Sequence, residues 1–81
     1  MNGQLVVVKD FMNKPLVRKA VYTTEDSVFI SSERSFEAVQ DGSASLHPIG
    51  FRRENVFAYD GRPLGDSIDW KKMRPWDENS N

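Results

Sequence analysis

The sequence predicts a mainly β (α+β) fold: a small antiparallel, strongly bent sheet of four or five strands, with one short helix over about 33–40 and an extended C-terminal tail. Three observations carry this. Short runs rich in β-branched and aromatic residues recur at 5–8, 16–24, 27–31 and 55–59, each bounded by turn formers. One segment alone, 33–40, combines a helix cap with helical spacing of apolar residues. Finally, 81 residues without cysteine allow one thin core and no disulfide staple. Bending or closing the sheet would hide edges that otherwise invite aggregation.

The elements follow in order. Leu5-Val6-Val7-Val8 is short, apolar and ended by Lys9-Asp10, so it reads as a buried strand. Phe11 and Met12 read as its continuation towards a loop at Asn13-Lys14-Pro15. In 16–24, Val17, Lys19, Val21 and Thr23 share one side. Leu16, Arg18, Ala20, Tyr22 and Thr24 share the other. That alternation is imperfect and predicts a bulge. Glu25-Asp26 turns the chain into a third strand, 27–31, completing a hairpin.

Ser32 is an N-cap, Glu33 suits the positive end of the helix dipole, and Phe36 with Val39 forms the buried face. Gly42 suits the position just past the helix end. The composition of 41–45 is that of a loop, and 46–49 re-enters the core in extended form. A one-turn 3₁₀ segment then leads into the last strand. The core is expected to contain Val7, Val21, Phe29, Phe36, Val39, Phe51, Val56 and Phe57. Residues 1–60 read as a single small β-rich domain, and 61–81 as a loop and tail partly packed back on it. Ser67 would cap a helical turn that Pro75 stops.

The segment Gly50-Phe51-Arg52-Arg53-Glu54-Asn55-Val56-Phe57 resembles the end of an SH3-type barrel. There a glycine and a hydrophobic residue precede one 3₁₀ turn, an Asn closes it, and the last strand follows. The resemblance covers residues 50–57 and implies an SH3-like open barrel. It carries over no peptide-binding residues: the helix after Ile30 has no counterpart in the peptide-binding family, and Arg53 stands about where that family often has proline.

The formal net charge of −1 excludes a strongly basic, non-specific nucleic-acid binder and a highly acidic mimic of DNA alike. No run approaches the roughly 20 apolar residues of a membrane span, so no membrane partner is expected. Absence of cysteine fits a reducing, cytoplasmic setting. His47, the single histidine, has no nucleophile pattern around it, and the carboxylates form neither a metal loop nor a paired site. The two glycines of 60–65 lack phosphate-binding spacing. The expectation is therefore no enzyme, no catalytic residue, no metal and no cofactor.

Two features point to binding instead. Basic clusters occur at Arg18-Lys19, Arg52-Arg53 and Lys71-Lys72 with Arg74, and the first two would converge if they share one side of the sheet. Trp70-Lys71-Lys72-Met73-Arg74-Pro75-Trp76 interleaves aromatics with cations, as in peptide anchors and single-strand binders. Arg52, Arg53, Trp70, Lys71, Lys72, Arg74 and Trp76 are thus the candidate partner-binding residues. Trp70 is expected to pack on the domain, and Trp76, beyond Pro75, to stand exposed. The first reading is a protein-binding adaptor or accessory factor of bacterial or phage type. The alternative is a nucleic-acid-binding accessory protein. A structural subunit of an assembly ranks third, and a homo-oligomer is compatible with each.

Overall fold

A computed structural model describes residues 3–42, 47–65 and 68–77. The strands are β1 (Leu5–Lys9), β2 (Pro15–Thr23), β3 (Ser27–Ser31), β4 (Ile49–Arg52) and β5 (Val56–Ala58). The helix α1 spans Glu33–Gln40, and 3₁₀ turns occupy Arg53–Asn55 and Trp70–Lys72. The strands form one antiparallel sheet in the order β4-β3-β2-β1-β5, which is not closed. Mainly β with one short helix is therefore the fold.

β1 lies between β2 and β5 and is buried on both faces. Val6, Val7 and Val8 are all fully buried, although neighbouring strand residues point in opposite directions. Val6 and Val8 face an inner cluster with Ala20, Val28, Ile30, Val56 and Trp76, flanked by Leu16 and Phe51. Val7, opposite Val17 and Phe57, faces the outer side.

The expected bulge lies in β2. Ala20 pairs with Ile30 and Tyr22 with Phe29, so Val21 is the extra residue. The extra residue reverses the facing of everything after it. Tyr22 thereby leaves the core face and stacks on Phe29, ring centroids 4.5 Å apart. Phe29 in turn lies over Gly50. A Cβ at Gly50 would sit 2.9 Å from the Phe29 ring, so this position takes glycine because the ring fills the space of a side chain. The expected core is buried at Val7, Val21, Phe36, Val56 and Phe57, and half-buried at Phe29, Val39 and Phe51.

The helix forms where the sequence places it. Ser32 accepts from the Ser35 N–H, and Gly42, at φ 74°, donates to Val39 O. Phe36 reaches across to the Gly3 backbone, and the Lys19 ammonium lies 5.0 Å from its ring centroid. The fourth strand departs from expectation. The segment 46–49 is expected to re-enter the core in extended form; instead the strand is Ile49–Arg52, set by antiparallel pairing with 27–30, and on this outermost strand Ile49 is 65% exposed and His47 is exposed too. Leu46 and the loop 43–45 lie outside the described residues, as does Ser67. The last 3₁₀ turn is capped by Asp69, whose carboxylate accepts from the Lys71 N–H.

The largest correction concerns Trp76. It is 7% exposed and belongs to the inner core. Residues 74–76 run alongside β5: Ala58 N–H donates to Arg74 O at 2.8 Å, Trp76 N–H to Val56 O at 3.2 Å, and Phe57 bridges Pro75. Proline is harmless on this outermost segment, where it is not asked to donate to a further strand. Bridging puts Trp76 on the Val56 side of the sheet, and its indole N–H donates to Gln4 Oε1 at 3.3 Å. Trp76→Ala is therefore expected to destabilise by about 3–5 kcal/mol. At roughly 4–8 °C per kcal/mol for a domain of this size, a thermal melt should show a collapse of the midpoint or no cooperative transition.

Candidate binding surface at the β1–β2 turn

The turn between β1 and β2 is ordered by one carboxylate. Asp10 accepts from the N–H groups of Met12 and Lys14 through the same oxygen, both at 2.8 Å. Asp10 N–H donates to Lys14 O and Asn13 N–H to Asp10 O, each at 3.0 Å. Asn13 takes a positive φ of 62°, a conformation its short polar side chain tolerates. The turn holds Phe11 and Met12 outward, 95% and 61% exposed. They are the tip of a hairpin, not the continuation of β1, because Asp10 competes for the backbone donors that a longer strand would use.

The tail braces this tip. The Trp70 indole N–H donates to Asn13 O at 3.1 Å. Its ring lies against Phe57 at 5.1 Å between centroids, and the Lys9 ammonium sits 5.7 Å from its centroid. Trp70 is half-buried, and Lys71 and Lys72 beside it are exposed. Phe11, Met12, Lys9, Lys14 and the Trp70-Lys71-Lys72 turn thus belong to one end of the molecule. Phe11 and Met12 escaped the sequence reading. The signal was Asp10 followed three residues later by Asn13, a turn pattern inside an otherwise apolar run.

The other predicted site residues stand elsewhere. Arg53 is half-buried and clamps the β2–β3 turn: its Nη2 donates to Thr24 O at 2.7 Å, and its Nε to Thr24 O and Glu25 O at 3.1 Å each. Three carbonyl contacts make it a structural cross-link with charge-assisted geometry. Arg52 is exposed, 3.7 Å from Glu54. Thr24 and Asn13 lie at opposite ends of β2, whose nine residues span up to about 30 Å. Arg18 faces the inner side opposite Val6, and Lys19 the outer side over Phe36. The basic clusters therefore do not converge into one stripe. Arg74 is exposed but engages β5 through its carbonyl, and Trp76 is buried.

A cleft of about 730 Å³ separates the outer face of β1 and β5 from the tail, lined by Val7, Tyr59, Leu64, Ile68 and Met73. Asp60 and Arg62 stand at its rim. The Asp60 carboxylate accepts from Arg62 Nε at 2.7 Å and from the Arg62 backbone N–H at 3.0 Å, with Arg62 Nη2 at 2.6 Å. The side-chain hydrogen bond from Arg62, followed by the backbone one, holds the Asp60 carboxyl below the ordinary carboxylate value. Among the described residues no group of three or more His, Asp or Glu side chains is arranged to hold a metal. No helix among the described residues is long and apolar enough to cross a membrane.

No protein-family model, curated protein or solved structure matches this chain.

Two outcomes follow from this geometry. Asp10→Ala removes the acceptor of two turn N–H groups, so hydrogen exchange at the Met12 and Lys14 amides should accelerate by an order of magnitude or more, while β1–β2 amides remain protected. At Asp60 the depressed value means the Arg62 contact is intact at neutral pH and is lost as pH falls through the acidic titration. An NMR titration should find the Asp60 midpoint below the ordinary value, with the Arg62 amide shift following it. Both groups are fully exposed, so global stability should not follow this titration.

Proposed function

We propose that this protein is a non-enzymatic binding module, built on an SH3-like open barrel, that docks on a protein partner through its β1–β2 turn. The observation that carries the reading is the near-complete exposure of Phe11 on a turn whose backbone is ordered by Asp10. Leaving a Phe in water forgoes roughly 1.5–3 kcal/mol of burial. The turn spends two N–H groups on Asp10 to keep that side chain out of the domain's own core. A preorganised aromatic anchor loses little conformational entropy on docking. The chemistry that fits is an apolar socket for Phe11 and Met12 with acidic groups at its rim, opposite Lys9, Lys14, Lys71 and Lys72. The barrel reading is supported by the 3₁₀ turn Arg53–Asn55 standing directly before the last strand, in the segment that carries the resemblance.

The nucleic-acid reading is weaker. A stacking platform needs an open aromatic face, and the Trp70 ring already has Phe57 and Lys9 as neighbours. The clusters Arg18-Lys19, Arg52-Arg53 and Lys71-Lys72 do not converge. The open Phe11 ring beside Lys9, Lys14, Lys71 and Lys72 makes the salt dependence of binding the measurement that separates the two readings.

The test compares wild type with a Phe11→Ser, Met12→Ser variant as bait in nuclease-treated extract of the native cell, followed by titration against the captured partner. The variant should melt within about 1 °C of wild type, because surface positions change stability little. Its affinity should fall about thirtyfold or more, the loss expected of a central aromatic anchor. Undiminished capture by the variant overturns the reading. So does binding that disappears steeply with salt in proportion to phosphates neutralised, or recruitment to phosphatidylserine vesicles with no protein partner.

A further inference from the structure

The two edges of the sheet are finished differently. At β5, residues 74–76 lie alongside and place Pro75 outermost. At β4, no described residue pairs with the outer side. Which groups are free follows from the ladder. Thr24 N–H donates to Ser27 O, so Ser27 faces β2, and alternation turns Val28 and Ile30 towards β4. Arg53 N–H donates to Asp26 O, which places Phe51 and Ile49 on the same side, towards β3. Both lines agree, and the N–H and C=O groups of Gly50 and Arg52 are left pointing outward.

Beside this edge the concave face opens into a cavity of about 400 Å³. Leu16, Ile30, Ile49 and Phe51 form its apolar wall, with Ile49 65% exposed. Arg18, His47 and the serines at 31, 32 and 35 supply its polar side, and no Asp or Glu lines it. One Arg18 nitrogen donates to Val17 O at 2.8 Å. No carboxylate among the described residues lies within salt-bridge distance of Arg18.

We propose that the β4 edge receives an extended segment of a partner protein, with an apolar side chain entering this cavity and a carboxylate meeting Arg18. Main-chain bonds to Gly50 and Arg52 hold the strand, and the cavity selects alternate side chains. A second copy of this chain is a poorer occupant, because pairing β4 with itself sets the Arg52 and Arg18 cations of one protomer beside those of the other. The edge is separate from the β1–β2 turn, so this site stands or falls independently of Phe11.

The backbone supplies a selective test. Arg52 has φ −62°, the value proline imposes. Arg52→Pro therefore removes the outward N–H while leaving the β3 ladder in place, and Arg52→Ala removes the side chain alone. The probe is a fluorescent octapeptide with threonine at every other position and isoleucine and glutamate taking turns at the positions between, so that both share one face of the extended strand; a lysine-for-glutamate version is the control, and binding is read by anisotropy. The glutamate peptide should bind wild type, Phe11→Ser and Arg52→Ala alike. Affinity should drop about tenfold or more for Arg52→Pro, for Arg18→Gln and for the lysine peptide. In wild type the Gly50 and Arg52 amides should gain exchange protection on adding the peptide. No binding of the glutamate peptide, unchanged binding by Arg52→Pro, unprotected Gly50 and Arg52 amides, or a dimer in sedimentation that excludes the peptide each overturns the proposal.

Discussion

The fold depends on burying β1 from both sides. Three consecutive valines with no exposure require a cover on each face of the sheet where β1 runs. The bent sheet covers its own inner face, where Val6 and Val8 meet Ala20, Val28, Ile30 and Val56, and Trp76 fills what remains. The outer face cannot be covered by the sheet itself. It is shared between α1, whose Phe36 lies on Gly3 and under Lys19, and the tail, whose Trp70 lies on Phe57 and whose Ile68 and Met73 stand across the cleft that Val7 lines. The tail is therefore a second layer of the domain. In a chain this small, losing either cover would expose a large fraction of the apolar surface that stabilises it.

What was legible in the sequence was what local pattern decides. The valine run marked β1, Ser32 with Gly42 bracketed the helix, and the broken alternation of 16–24 announced a bulge, whose place at Val21 only the pairing with β3 fixes. The 3₁₀ turn before β5 was also visible, since Gly50 and Asn55 frame it. What was not legible is set by distant partners. Trp70 and Trp76 are the same residue type six positions apart, and only pairing with β5 decides which of them enters the core. Pro75 reads locally as a stop, yet here it marks an outermost extended segment. The strand after the helix was not legible, because cross-strand register, not local composition, positions Ile49–Arg52.

The binding surfaces show the same division. Charge clusters are easy to see in a sequence, but a charge carries no address. Arg53 became a clamp on three carbonyl contacts, and Arg18 and Lys19 went to opposite faces. Phe11 and Met12 were hidden in plain view, because an apolar pair after a buried strand reads as more strand. The bulge contributes too: by turning Tyr22 onto Phe29 and Phe29 onto Gly50, it stiffens the β2–β4 side of the sheet while leaving that edge unpaired among the described residues.

The Gln4–Trp76 hydrogen bond joins residues 72 positions apart. Together with the pairing of β1 and β5, it makes the domain rich in distant contacts, whose loop-closure entropy must be overcome before they stabilise anything. During synthesis at roughly 5–20 residues per second, β1, β2 and β3 emerge with no indole to fill the inner face. The domain must wait until residue 76 has cleared the ribosome before its core can close. Until then the nascent valine run lacks the indole that covers it, and it is the segment that needs shielding.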